Sequence, residues 1–417
     1  MSFPVAITGA GVITAAGRGL DAAWEALCRG ETFLAPDPDP DLAGFAPLAA
    51  ARCAPLDAGA LGVDRRAARI MAHHSHMLMA CVLDAAGPEA GAASGADVAF
   101  FAGMDSVDPK DADVMPGVAA SRGADGGVDP ERFFSAGIDR IHPLWPLGMM
   151  NAMGFCQAAI RFGLRGENAV FTPGAGAACQ AVAEAAYALQ EGKARAALAA
   201  GVSAVLSARS VARYRGAGLL RPASGSGAEV PRPFAGGDAT ALGEGACVLR
   251  MEPRGVLGEK AAAGSLGALT GWGAARSLNG AVGRAEALRR AAGAALRSAG
   301  REPGEVSLVV VHGDGRAETD AAEREALSAL FGPRRPGGLA TKGAFGHLLG
   351  AAPVLDLLLA LRALGRGILP PSPGAAEGDF LRFASKPEEM PAPGAALVLA
   401  QGFDGVCGAF VAEAPGP

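Results

Sequence analysis

At 417 residues, half of them hydrophobic and only 19% charged, the chain is long enough to bury at least one large core and is excluded from the disordered class. Its 37 basic residues against 42 acidic ones give a net charge of −5, so no basic excess exists to neutralise a phosphate backbone, and nucleic acid is not an expected partner. The seven cysteines (28, 53, 81, 156, 179, 247 and 407) include no CxxC pair, which points to reduced thiols and a cytoplasmic protein.

The chain opens on Met-Ser-Phe-Pro, without the basic and apolar regions of a signal peptide. A short apolar strand, Val5-Ala6-Ile7-Thr8, runs into Gly9-Ala10-Gly11. The third glycine of a dinucleotide fingerprint would fall at Thr14, so that reading is weak. A helix is expected over Asp21–Leu27, a Pro- and Asp-rich loop over 35–60, and one helix over Arg65–Ala86. His73, His74 and His76 lie on that helix. They lack the i, i+4 spacing of a metal pair and read as a solvated or partner-facing cluster. Val98–Ala102 reads as a buried strand and 105–139 as a polar surface excursion. Asn151–Phe162 reads as a helix and Asn168–Thr172 as a strand entering the turn Pro173-Gly174-Ala175-Gly176. An Ala-rich helix follows over Ala177–Glu191, then a strand over Ala196–Val205.

The second half repeats the alternation. Helices are predicted over Arg284–Ala299, Ala321–Phe331 and Val354–Leu364, and strands over Val306–His312 and Ala396–Gln401. The most apolar helix carries Asp356 and Arg362, so no membrane span is expected. Strands separated by helices imply α/β units on a mostly parallel sheet, one unit in residues 1–253 and one in 254–417. In such sheets ligands bind at the carboxyl ends of strands. Four turns qualify: Thr172–Ala177, His312–Gly315, Lys342–His347 and Gly402–Gly405.

Across nearly its whole length the sequence resembles the β-ketoacyl synthases of the thiolase-like superfamily. The resemblance is carried by Val5-Ala6-Ile7-Thr8-Gly9-Ala10-Gly11, Ile160-Arg161-Phe162-Gly163-Leu164-Arg165-Gly166, Arg232-Pro233-Phe234 with Gly243-Glu244-Gly245-Ala246, His312-Gly313-Asp314-Gly315 with Asp320 and Glu323, Thr341-Lys342-Gly343 with Gly346-His347-Leu348-Leu349-Gly350-Ala351, and Gly402-Phe403-Asp404-Gly405. It implies a thiolase-like fold of two duplicated α/β halves in an α-β-α-β-α arrangement. It also implies pairing through the strand Asn168–Thr172.

The family's chemistry uses a Cys at a helix N-terminus as acyl acceptor, two His that bind a thioester carbonyl, and a nearby Lys. The resemblance places the His and Lys roles on His312, His347 and Lys342, and the nucleophile position on Ala175. A methyl group cannot attack a thioester. Asp314 and Arg316 stand where the first His loop has small hydroxyl residues. Gln401 replaces an aromatic gate residue, and Asp404 a glycine of the gate turn that also holds Phe403.

Loss of the nucleophile with the fold retained resembles the chain length factor, the β subunit of a type II ketosynthase. That subunit pairs with a Cys-containing ketosynthase and shapes the tunnel for a chain carried on the phosphopantetheine of an acyl carrier protein; no free cofactor and no metal is expected. Many such subunits carry Gln at the position of Ala175. A malonyl-carrier decarboxylase using His312 and His347 is the alternative, and a divergent synthase acylated on Cys179 or Cys407 the third reading. Cys179 and Cys156 are expected to be small packed thiols. The clusters Arg65/Arg66/Arg69 and Arg209/Arg213/Arg215 read as solvated faces or as contacts for an acidic carrier protein.

Overall fold

The computed structural model describes residues 4–45, 48–86, 97–220, 231–237, 240–257, 264–278, 283–376, 378–390 and 394–415. Ten strands carry the architecture: β1 (Val5–Thr14), β2 (Val98–Met104), β3 (Asn168–Phe171), β4 (Ala196–Ser203), β5 (Gly245–Pro253), β6 (Gly267–Arg276), β7 (Val306–Val310), β8 (Gly337–Leu339), β9 (Ala395–Gln401) and β10 (Val406–Glu413). The first half runs β3-β2-β4-β5-β1 across the sheet, with two parallel pairings followed by two antiparallel ones. The second half runs β8-β7-β9-β10-β6 with the same sequence of senses. A short antiparallel contact, Val5↔Leu269 to Ile7↔Gly267, joins the two. The sheet is therefore mixed, not mostly parallel as the βαβ alternation suggested, because β5, β6 and β10 enter as antiparallel strands.

Two helices fill the space between the half-sheets: Gly174–Gln190 and Ala352–Arg366. They pack on each other, and each touches strands of both halves. The second buries Leu355, Leu357, Leu358, Leu359, Leu361 and Leu364, worth about 1.5–3 kcal/mol apiece. The first is nearly all alanine on its buried side, which permits backbone-to-backbone approach. A Cβ on Gly103 of β2 would lie 2.2 Å from the Ala178 nitrogen. Helices His73–Ala86 and Arg284–Ala299 cover the outer faces of the first and second halves, which completes five layers.

The expected turn at Gly9-Ala10-Gly11 is instead the middle of β1, which continues to Thr14 with a register shift between Ile7 and Gly9. Those glycines serve close packing. A Cβ on Gly11 would sit 2.0 Å from the Cys81 carbonyl oxygen, and one on Gly9 2.3 Å from that of Ala85. Overpacking against backbone cannot relax by a rotamer change, so Gly11→Ala is expected to cost about 3 kcal/mol. The urea midpoint of the variant checks this, and an unchanged midpoint contradicts it. The helix expected over Arg65–Ala86 is two helices, Arg65–Ile70 and His73–Ala86, broken at Met71 in an extended conformation. The excursion at 105–139 contains a helix, Asp111–Ala120.

Candidate functional site

The His312–Gly315 turn follows β7, and its glycines take positive φ values of +44° at Gly313 and +82° at Gly315, a conformation in which a Cβ would be strained. The buried carboxylate of Glu323 pins the turn, accepting from the amides of His312 at 2.7 Å and Gly313 at 2.9 Å. Asp320 accepts from the Phe234 amide at 2.6 Å and so ties in the Arg232-Pro233-Phe234 element. His347 is held through its own amide, which donates to the Ala241 carbonyl at 2.7 Å. The two imidazoles meet with centroids 5.0 Å apart at 73°. Phe403 lies 5.2 Å from His347. It is carried by the β9–β10 hairpin turn, which is closed by Gly402 donating to Val406.

Ala175 is buried, 2% exposed, in the first turn of the helix Gly174–Gln190. Asp105, at the carboxyl end of β2, fastens that turn to the His347 loop. One carboxylate oxygen accepts from the Gly174 amide at 2.9 Å and the other from the Gly350 amide at 2.9 Å. The same first turn abuts the Phe403 hairpin, since a Cβ on Gly176 would lie 2.7 Å from Val406. All four strand-end turns thus converge. Lys342, 1% exposed, pairs at 3.5 Å with Asp356, which also accepts from the Thr341 hydroxyl at 2.7 Å.

The rings are neutral and their tautomers are fixed. Burial, then the Lys342 charge, holds His312 down to about 4, and burial together with His312 and Lys342 holds His347 well below the imidazole range. The Gln401 amide donates to His312 Nδ1 at 3.2 Å and the Leu349 amide to His347 Nδ1 at 3.0 Å. A backbone N–H can only donate, so in each ring the proton sits on Nε2. Burial disfavours the charge on Asp314, but His312 and Arg316 outweigh burial and keep it well below the carboxylate range. Its Oδ2 lies 2.8 Å from Arg316 Nε and 3.8 Å from His312 Nε2.

Ring nitrogens of His312 and His347 and a carboxylate oxygen of Asp314 lie within 4.8 Å of one another, a donor set suited to a transition-metal ion. The residues do not fit one. Each Nε2 carries a proton, and each Nδ1 is already engaged by a backbone donor, so neither ring offers a free lone pair.

The remaining expected residues fall as follows. Gln401 is 1% exposed, and neither atom of its side-chain amide has a hydrogen-bond partner among the described residues. Asp404 is exposed and accepts from the Val406 amide at 3.2 Å, closing its own turn. Cys179 packs against Gly408, and burial pushes both it and Cys407 up to about 12. Two readings need correction. Cys156, expected to be packed, is exposed, because the outer face of its helix is uncovered. The histidine cluster is not solvated: His74 is 4% exposed and His73 lies 3.8 Å from Glu244, because that helix covers the first half-sheet. Arg209 and Arg213 keep the solvated face expected of them, with side chains 39% and 50% exposed, and there pair with Asp111 at 2.8 Å and Asp108 at 3.2 Å. Sequence reasoning missed Asp105 and Tyr214, whose ring stands 5.8 Å from Phe403. For Asp105 the available signal was a lone carboxylate directly after a buried strand.

Buried ionisable groups set a pH dependence. Burial pushes Glu323 up to about 8, Glu244 and Asp320 to about 7, and Asp105 to about 6. The folded chain therefore holds protons that the unfolded chain releases. Stability is expected to rise as pH falls from about 8.5 to about 6.5, by up to about 1.4 kcal/mol per unit for each group titrating there. Below about 6.5 the neutral rings oppose this: His74 and His312, held down to about 4 chiefly by burial, refuse protons that unfolded imidazoles accept. Urea midpoints across this range check the sign; a midpoint that falls between pH 8.5 and 6.5 contradicts it.

Profiles of known families match most of the chain: "Beta-ketoacyl synthase, N-terminal domain" over residues 2–254 and "Beta-ketoacyl synthase, C-terminal domain" over 266–375. The chain is 26% identical to the tetracenomycin polyketide synthase ketoacyl synthase beta subunit of Streptomyces glaucescens, over 99% of each chain. Among solved structures it is similar to the ishigamide ketosynthase/chain length factor, with a TM-score of 0.81, 21% identity and full coverage of both chains. It is also similar to a type II acyl-carrier protein–ketosynthase complex, AntDE:AntF, with a TM-score of 0.77 and 19% identity over 99% of this chain and 100% of that one. No helix among the described residues is long and apolar enough to cross a membrane.

Proposed function

The chain belongs to the β-ketoacyl synthase family, and on that premise we propose that it acts as a chain-length-factor-like subunit, a ketosynthase β chain that is not itself acylated. One observation carries the reading. The position that should present a nucleophile is the methyl group of Ala175, 2% exposed at the start of its helix. Neither Cys179 nor Cys407 replaces it, since both are buried and burial pushes each thiol up to about 12, which leaves it protonated at neutral pH. In this reading His312, His347 and Lys342 keep the family's geometry without its turnover, and Gln401, Phe403 and Asp404 form the gate turn. The two halves divide after Pro253.

The partner is a Cys-containing ketosynthase, and the substrates ride on the phosphopantetheine of an acyl carrier protein in the cytoplasm. The pairing face is β3, paired on one side only among the described residues. Beside it stand Ile160, 74% exposed on the helix Asn151–Phe162 that touches β3, and Met150, 49% exposed at the start of that helix, both large apolar side chains left bare. A cavity of about 430 Å³ opens at the carboxyl ends of β2 and β4, lined by Val107, Asp108, Lys110, Leu206 and Glu244 among others, and none of Ala175, His312, His347 or Phe403 lines it.

Asp314 argues against a decarboxylase: a carboxylate already stands beside the imidazole donors that would have to receive a developing enolate. Co-expression with a Cys-containing type II ketosynthase, followed by affinity capture through one chain and gel filtration, tests the reading. A stable 1:1 complex is expected. A lone homodimer that releases carbon dioxide from malonyl carrier protein overturns it.

A further inference from the structure

We propose that His312 Nε2–H, His347 Nε2–H and the Arg316 guanidinium form a carboxylate-binding slot whose resident occupant is the chain's own Asp314. The donors are fixed by the backbone. The backbone amides of Gln401 and Leu349 hold both Nδ1 atoms as acceptors, so Nε2–H is the remaining donor of each ring, and ring nitrogens of both lie within 4.8 Å of an Asp314 oxygen. Arg316 adds a cation, 2.8 Å from Asp314 and stacked 5.2 Å from the centre of the Phe403 ring, which closes the outer side. Asp314 is 0% exposed. It also accepts from the Arg316 amide at 3.1 Å and from the Thr319 hydroxyl, so a capping role for the following helix is the competing account.

The slot is larger than its occupant. His347 is 1% exposed, and among the described residues its Nε2 has no partner, nor does either side-chain amide atom of Gln401. Buried donors left unpaired are costly, so the pocket holds unused capacity beyond what one aspartate side chain satisfies. A free carboxylate of formate or acetate size supplies the charge that Arg316 requires and reaches the idle donors once the aspartate side chain is gone. In the native chain the internal carboxylate excludes external ones, including that of a malonyl group. The inference rests on this geometry alone and is unaffected by failure of the pairing with a synthase.

Chemical rescue tests it. In the purified full chain, with any subunit that co-purifies, Asp314→Ser is expected to lower the thermal midpoint. Sodium formate should restore it saturably, by about 3 °C at a hundredfold excess over half-saturation. Sodium chloride at equal ionic strength should not, and formate should leave the wild type unmoved. Asp314→Asn fills the slot without charge and is expected to be destabilised and not rescued. Equal effects of formate and chloride on Asp314→Ser overturn the proposal. So does an Asp314→Asn protein as stable as wild type, which also serves as the deciding result if the serine variant does not fold. A wild-type midpoint raised by zinc ions overturns the tautomer assignment on which the slot depends.

Discussion

Replacing Asp356 with alanine is expected to destabilise the chain by about 3–5 kcal/mol. The helix Ala352–Arg366 is the most apolar element of the fold, and Asp356 is buried on it among leucines. Its carboxylate faces Lys342 Nζ at 3.5 Å, with side-chain exposures of 1% for the lysine and 2% for the aspartate. Burial pushes Asp356 up, and the lysine and the Thr341 hydroxyl pull it back. Removing the carboxylate strands an ammonium group in the interior beside two imidazoles. Against a total stability of about 5–15 kcal/mol, that loss is large. Replacing both partners by apolar residues, Lys342→Met with Asp356→Leu, removes the charges together and is expected to be near neutral. Urea unfolding of the three proteins checks the contrast. Equal losses in the single and double variants contradict it.

Pairing should be abolished by charge on the bare face beside β3. Ile160 and Met150 are 74% and 49% exposed there, an unfavourable state for large apolar side chains unless a partner covers them. If they are anchors, each replacement by aspartate costs about 2 kcal/mol or more of binding, and the pair of changes weakens association on the order of 10³-fold. Leu278, 87% exposed in another turn, is the control, and Leu278→Asp should pair normally. Co-elution with a Cys-containing ketosynthase reads the result. A double variant that still co-elutes places the interface elsewhere.

Helices that bury one face and end on a glycine were legible in the sequence. Asn151–Phe162 and Arg284–Ala299 carry apolar periodicity and stop at Gly163 and Gly300 in left-handed conformations. The three antiparallel strands β5, β6 and β10 were not. The segment Gly267–Arg276 holds Gly271 and Gly273, and glycine inside a strand weakens its pattern. The structure gives them a packing reason: a Cβ on either would lie 2.2–2.3 Å from carbonyl oxygens of Ala295 and Ala291 on the helix above. The four turns of the site were recognisable because glycine and histidine at strand ends are local signals. Asp105 was not, because its two partners lie 69 and 245 residues away. The burial of His74 was equally hidden, since i, i+1, i+3 spacing does not say which helical face meets a sheet.

Intact mass spectrometry of the co-purified subunits after incubation with acyl-loaded carrier protein tests the central claim most directly. An acyl adduct is expected on the Cys-containing subunit alone, with this chain at its unmodified mass under conditions that acylate its partner fully. A stoichiometric acyl adduct on this chain, whether mapped to Cys179, Cys407 or the exposed Cys156, contradicts the account.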